Sequence, residues 1–184
     1  VAAVQDLVSW AVASASAPPE LAPIHRLDLG TSGLVLMSPD PALRARLGQA
    51  FATTGQVRKT YSALVMGRPH KKGVIRRALS DPRRKRSLPA VTRYWLTEAL
   101  GKVSLLRVRP ETGRRHQIRR HLAGIGHPVV GDHRYGGKGG SVPGSPGRMW
   151  LHCARLQIPA QGLDFRAPLA PELSEHLERL RAEP

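Results

Sequence analysis

Apolar residues recur at helical spacing in three separate stretches of the chain. Residues 1–13 carry valine, leucine and alanine three and four positions apart, which predicts an N-terminal helix. Asp40 can cap a second helix that has Pro41 in its first turn, and apolar residues then recur every fourth position to Phe51, with an end predicted near Gly55. Pro171 begins a third helix, in which three leucines form a buried stripe.

Other stretches have the short apolar or alternating patterns that are typical of β-strands. Such strands are predicted at 33–38, 57–66, 74–79 and 149–158, and 90–100 and 102–109 form an antiparallel hairpin around Gly101. A further short helix is predicted at 115–124. We find no internal repeat and no alternation of parallel strands and helices. The expected fold class is α+β, with a mixed, mostly antiparallel central sheet and a few flanking helices, in a single domain spanning 1–184.

The charge of the chain indicates a polyanionic partner. Its 184 residues include 29 Lys+Arg and 13 Asp+Glu, which gives a net charge of +16 and a pI near 11.5. Such a balance favours nucleic acid, and the preference for arginine suits RNA. The only cysteine, Cys153, excludes an internal disulfide and favours a cytoplasmic location. No apolar run is long enough to cross a membrane.

One carboxylate stands out because of its neighbours. Asp28 lies between two leucines and is followed at once by Gly30-Thr31-Ser32-Gly33, a run that favours a tight turn. The basic pair His25-Arg26 comes just before it. This arrangement holds a charged group on a loop beside a strand, which is a common way to build a site. An acid that only satisfies backbone donors in its turn is the alternative interpretation.

The second concentration of polar side chains lies in the stretch 112–122. Here a Thr-Gly pair precedes five basic or imidazole side chains within eight residues: Arg114, Arg115, His116, Arg119 and Arg120, with a further histidine at 121. On a helix, His116, Arg119 and Arg120 share one face, whereas Ile118, Leu122 and Ile125 are expected to reach the core. The unpaired N–H groups at the start of such a helix add to an anion site. An ordinary basic surface helix is the alternative.

Three motifs in this chain resemble those of the RluA-type pseudouridine synthases. The first is His25-Arg26-Leu27-Asp28 with Thr31-Ser32-Gly33, the second is Lys59-Thr60-Tyr61-Ser62-Ala63, and the third runs from Thr112-Gly113-Arg114 to Arg119. They occur in the order that the family has. The third motif, together with Pro89-Ala90-Val91-Thr92, leans toward the TruC branch, whose members act on transfer RNA.

The resemblance implies a role for each of these residues. Asp28 would be the catalytic residue, Arg119 would form an ion pair with it, and Tyr61 would pack against the target base and move a proton. The RNA-binding residues would be Arg26, Arg114, Arg115, His116 and Arg120, with Arg26 filling the stack that a flipped base leaves. We find no counterpart of the family's opening strand and Lys-Pro-x-Gly segment in the sequence given, and we expect no separate RNA-binding domain within it.

The implied reaction converts a uridine in ribosomal or transfer RNA into pseudouridine. The base leaves the sugar at nitrogen 1, turns, and is rejoined through carbon 5, so no cofactor is expected. Asp28 would act either as a nucleophile on the anomeric carbon or as a base in a glycal route, and the residues leave both open. We expect a monomer. We also expect no bound metal, because no second pair of metal ligands accompanies His152 and Cys153. A non-catalytic RNA-binding module or RNA chaperone is the alternative function.

Overall fold

A computed structural model of the protein describes residues 18, 20–81, 85–137, 142 and 144–182. These residues divide into two compact units. The α1 unit holds the described residues up to 27 together with 35–53. The sheet unit holds 28–34 and the described residues from 54 onward. The helix predicted at 1–13 lies outside the described residues.

Short strands alternate with three α-helices along the described chain. The strands are β1 (Ala22–Pro23), β2 (Ser32–Gly33), β3 (Met37–Ser38), β4 (Arg58–Met66), β5 (Lys72–Arg76), β6 (Leu79–Asp81), β7 (Arg86–Leu88), β8 (Val91–Leu100), β9 (Val103–Pro110), β10 (Leu151–Ile158) and β11 (Leu163–Arg166). The helices are α1 (Pro41–Ala52), α2 (Gln117–Gly124) and α3 (Pro171–Ala182). None of these helices is both long and apolar enough to span a membrane.

A seven-stranded sheet forms the centre of the sheet unit. Its strands follow the order β11-β10-β4-β9-β8-β5, and all of these neighbours are antiparallel. The short strand β2 joins β10 in the parallel sense. The predicted α+β class with a mixed, mostly antiparallel sheet is therefore confirmed, as is the hairpin that became β8 and β9.

The hydrophobic core of the sheet unit lies between the sheet and α3. Its members are all buried: Leu64, Val103, Leu105, Val130, Trp150, Leu173, Leu177 and Leu180. The three leucines of α3 recur at helical spacing, so one face of the helix enters the core. Burial of each such leucine contributes roughly 2 kcal/mol. The stripe predicted from the sequence is thus the face that closes this core.

The α1 unit combines a helix with a minimal two-stranded sheet. Asp40 caps α1 by accepting a hydrogen bond from the Ala42 amide at 2.8 Å, as predicted, and the helix ends at Ala52 instead of near Gly55. Strands β1 and β3 pair in the antiparallel sense. The rings of His25 and Phe51 stack with centroids 4.4 Å apart. His25 also accepts a hydrogen bond from the Leu36 amide, so the segment before Asp28 is anchored to its own unit.

Three local predictions were wrong. The strand expected at 74–79 is instead two strands, β5 and β6, because β5 ends its pairing with β8 at Arg76 and β6 pairs with β7. The strand expected at 33–38 is broken into β2 and β3. The φ of Gly33 is +106°, which is incompatible with extended strand backbone, so the strand ends there. Ile125 was expected in the core but is 38% exposed, because it follows the last residue of α2 and leaves the buried face.

Candidate active site

The loop that carries Asp28 is held against strand β10. Ser32 and Gly33 pair with His152 and Cys153, and the Leu34 amide donates to the Cys153 carbonyl at 3.1 Å. The Ser32 hydroxyl lies 2.9 Å from Nδ1 of His152, which is buried. Backbone and side-chain contacts to β10 therefore fix the loop only a few residues after Asp28.

Gly33 is the point of closest approach between the loop and the sheet. A Cβ atom at this position would lie 2.3 Å from the Cys153 carbonyl oxygen and 2.6 Å from its nitrogen. The φ of +106° adds a conformation that other residues rarely adopt. Only glycine lets the loop and the strand approach this closely.

Asp28 itself lies in a tight turn, in which the Thr31 amide donates to its backbone carbonyl at 2.9 Å. Its side chain is 31% exposed, and Oδ1 lies 4.0 Å from Nε2 of His116. The adjacent Leu29 is 97% exposed. The carboxylate is thus open to a ligand on one side and faces an imidazole on the other.

The predicted ion pair between Asp28 and Arg119 is wrong. Arg119 is buried, and its Nε and Nη2 donate to the two carboxylate oxygens of Asp132 at 2.7 and 2.8 Å. Asp132 lies in the turn that follows the helix and reaches both nitrogens of the fork at once. Asp28 still lies close enough to raise the pKa of Arg119, after the larger effect of the Asp132 hydrogen bonds.

Asp132 is the site residue that sequence reasoning left without a role. Its Oδ1 also accepts from the amides of Arg134 and Tyr135 at 3.0 and 3.1 Å, so it orders its own turn as well as Arg119. Burial opposes its charge, but the hydrogen bonds from Arg119 and these amides hold its pKa below the ordinary value. A signal was present: Asp132 is the only acid between Glu111 and Asp164.

Tyr61 lies on β4, between the neighbouring strands β9 and β10. Its side chain is buried, and its hydroxyl shares a hydrogen bond with the Cys153 thiol. Burial raises the pKa of Tyr61 well above its ordinary value, and the charge of Asp28 adds to that rise. Asp28 therefore acts electrostatically on Tyr61, Arg119 and His116, and these four side chains form one constellation.

Gln117 fastens the start of α2 to the sheet. Its Oε1 accepts from the Thr112 hydroxyl at 2.7 Å and the Arg114 amide at 3.0 Å. Its Nε2 donates to the Val91 carbonyl and the Thr92 hydroxyl at 2.9 and 3.0 Å. All four hydrogen-bonding positions of this buried amide are thereby satisfied, which fixes the residues before and after His116.

Some of the remaining predicted RNA-binding residues make hydrogen bonds within the protein, and others are exposed. Arg120 donates to the carbonyl and hydroxyl of Ser80, and Arg114 donates to the Pro89 carbonyl. Arg115 is exposed next to the site, and Arg26 is exposed in the α1 unit. Within the described ranges, no group of three or more His, Cys, Asp or Glu residues could hold a metal ion.

Comparison with known proteins gives one consistent family. The model of the RNA pseudouridylate synthase family matches residues 5–124. An "uncharacterized RNA pseudouridine synthase" of Chloroflexus aurantiacus is 41% identical over 171 residues, which cover 86% of this chain and 53% of that protein. A tRNA pseudouridine synthase C of Pectobacterium carotovorum is 35% identical over 160 residues, covering 73% of this chain and 42% of that protein.

A solved structure agrees with these sequence matches. The human RNA pseudouridylate synthase domain containing 4 superposes with a TM-score of 0.74 and 25% identity, over 88% of this chain and 76% of that one. The chain spans about half the length of the curated relatives it matches. The matched range includes the Asp28 loop, β4 with Tyr61 and the start of α2, the three segments that build the constellation described above. The chain belongs to the RNA pseudouridylate synthase family.

Proposed function

We propose that this chain is the catalytic domain of an RNA pseudouridine synthase that isomerises uridine in ribosomal or transfer RNA. The observation that carries the proposal is the half-exposed Asp28 carboxylate, held on a loop of the sheet unit, with His116, Tyr61 and Arg119 within its electrostatic reach. A binding module needs neither the buried ion pair of Arg119 and Asp132 nor a carboxylate fixed beside it.

Each side chain has a distinct part in the proposed reaction. Asp28 acts at the sugar, either on the anomeric carbon or as the base of a glycal route. Tyr61 packs against the uracil ring, and Arg119 stabilises negative charge at the site while Asp132 fixes its orientation. Flipping the uridine out of its stack costs roughly a few kcal/mol, which contacts between arginines and phosphates offset.

The charge of +16 supports an RNA partner, and the predicted contacts are Arg26, Arg114, Arg115, His116 and Arg120. Transfer RNA is the favoured substrate, since one relative of 35% identity is named a tRNA pseudouridine synthase. We further infer a cytoplasmic monomer in which the whole chain acts as one catalytic domain. The single cysteine, a buried free thiol, suits that compartment. The isomerisation involves no redox change and needs no cofactor.

The test uses transfer and ribosomal RNA labelled with tritium at carbon 5 of uridine. Pseudouridine formation releases that tritium to water, so the full chain is expected to release label and the Asp28→Asn variant is not. Asp164→Asn is the matched control, because Asp164 is an exposed acid on the edge strand β11 and forms an ion pair with Arg155. Salt-dependent RNA binding without label release from any RNA would instead support the non-catalytic module.

A further inference from the structure

The backbone of His116 adopts a conformation that histidine rarely takes. Its φ is +51° and its ψ is 31°, which places it in the left-handed region at the start of α2. This conformation is unfavourable for a residue with a Cβ. His116 also makes no side-chain hydrogen bond that would cap the helix. Its ring instead contacts the Tyr135 hydroxyl, and such strain is concentrated at functional sites.

The imidazole is held by one nitrogen and open at the other. Nδ1 lies 2.9 Å from the Tyr135 hydroxyl, and the two rings meet edge to face. Nε2 lies 4.0 Å from Oδ1 of Asp28, which is beyond a hydrogen bond. When Nδ1–H donates to the Tyr135 oxygen, the lone pair of Nε2 faces the space beside the Asp28 carboxylate.

The surroundings keep this imidazole neutral. Burial lowers the pKa of His116, and the neighbouring positive charges lower it further, against the opposing effect of Asp28. The groups that face the ring are Asp28 from the loop, Arg115 and Arg119 from the start of α2, and Arg134 and Tyr135 from the following turn. A neutral imidazole is a poor ligand for phosphate but can accept a proton at neutral pH.

Tyr61, in contrast to His116, cannot accept a proton. Burial raises the pKa of Tyr61 well above its ordinary value, so the phenol keeps its proton and cannot serve as a base near neutral pH. Arg119 is committed to Asp132 and stays charged. Within the constellation, a proton acceptor besides Asp28 is thus provided by His116.

We propose that His116 is the catalytic base that removes the proton from carbon 5 of the uracil. The inference rests on the proposed function. Once carbon 5 has bonded to the anomeric carbon, it carries both that bond and its original hydrogen. Nε2 takes the hydrogen as a proton, and the electron pair of the broken C–H bond restores the double bond between carbons 5 and 6. The π pair that had joined carbon 6 to nitrogen 1 moves onto nitrogen 1. Nitrogen 1 gains a proton from water, and His116 returns its own to solvent.

The decisive measurement compares RNA with protium and with deuterium at carbon 5 of the target uridine. The main variant is His116→Asn, because asparagine also tolerates a positive φ and keeps the backbone unstrained. We expect its kcat to fall by about 10² to 10⁴-fold. The ratio of the protium to the deuterium rate should rise above that of the unsubstituted protein, because C–H cleavage then limits turnover.

A second variant, His116→Gly, keeps the proposal testable if the first one binds RNA poorly. Glycine accepts the same φ, and the vacated space can admit free imidazole. Imidazole in the buffer is expected to restore kcat in this variant and to leave Asp28→Asn inactive. The urea midpoint of each variant serves as the control for folding.

The outcomes separate this inference from the proposed function. If the unsubstituted chain releases no label from any RNA, both are overturned. If it releases label and His116→Asn raises only KM, with kcat and the isotope ratio unchanged, His116 binds RNA and the assignment as base is refuted. Failure of imidazole to restore any turnover in His116→Gly, when that variant is folded, refutes it as well.

Discussion

Replacing Asp132 with asparagine isolates the energetic role of the buried pair at the site. The amide keeps the oxygen that accepts from the Arg134 and Tyr135 amides. It removes the charge opposite Arg119, however, and places an NH₂ group where a carboxylate oxygen had accepted. Leaving one member of a buried ion pair unpartnered costs about 3–5 kcal/mol. For a chain of this size, that corresponds to a fall in Tm of roughly 6–20 °C.

Urea unfolding followed by tryptophan fluorescence measures this loss, since Trp150 is fully buried in the core and reports its opening. The control is Asp164→Asn, which removes an equally bidentate but solvent-exposed partner from Arg155. Solvent screens that pair, so its midpoint should barely move. High salt should weaken the exposed pair further and leave the effect of Asp132→Asn nearly unchanged.

The double variant Arg119→Met with Asp132→Asn provides the refutation. Removing both charges eliminates the uncompensated arginine, so the double variant should be no less stable than the worse single variant. We expect a coupling energy of roughly 2–3 kcal/mol. If the two single losses add within about 0.5 kcal/mol, the pair does not act as a unit and the reasoning is wrong.

Contacts elsewhere in the sheet unit give three further expected outcomes. Burial lowers the pKa of His121 below 6.5 in the folded protein. The contribution of neutral His121 to stability is therefore complete above pH 6.5 and is lost as the pH falls through the lower pKa of the folded state. Urea unfolding at about pH 7.5 and pH 5 should show that loss, reduced in His121→Gln. Gly33→Ala should abolish label release, because its Cβ would meet Cys153, whereas Gly55→Ala should retain it. Gln117→Leu should cost about 2–4 kcal/mol in urea unfolding, since four hydrogen bonds are lost; unchanged midpoints would contradict this.

Elements with a strong local pattern were predictable from the sequence. Three such elements are the cap at Asp40, the hairpin around Gly101 and the leucine stripe of α3. Each depends on residues that are close together in the sequence. The family motifs also located Asp28, Tyr61 and Arg119, which the structure brings within electrostatic reach of one another. Local sequence and tertiary structure agree at these positions.

The partner of Arg119 could not be read in the same way. Asp28 and Asp132 are both candidate partners of Arg119. Which of them pairs with it depends on the turn that starts at Gly131. The backbone of Gly131 passes so close to Arg148 that a Cβ on Gly131 would lie 2.2 Å from the Arg148 carbonyl oxygen. That approach, together with the bonds from Asp132 to the amides of Arg134 and Tyr135, directs the carboxylate toward the guanidinium. Sequence spacing contains neither contact. The strained backbone of His116 was equally hidden, because histidine is not a residue that marks a positive φ.

The attachment of the Asp28 loop to β10 has a consequence for the order in which the protein matures. Ser32 meets His152 across 120 positions of sequence, so the loop leaves the ribosome long before its support exists. Contacts this distant form late, because the chain between them must be ordered first. Arg119 can pair with Asp132 earlier in synthesis, whereas Tyr61 depends on its neighbour Cys153 of β10. The basic residues of α2 are therefore synthesised before the Asp28 carboxylate can be held in position, and the proposed reaction requires β10.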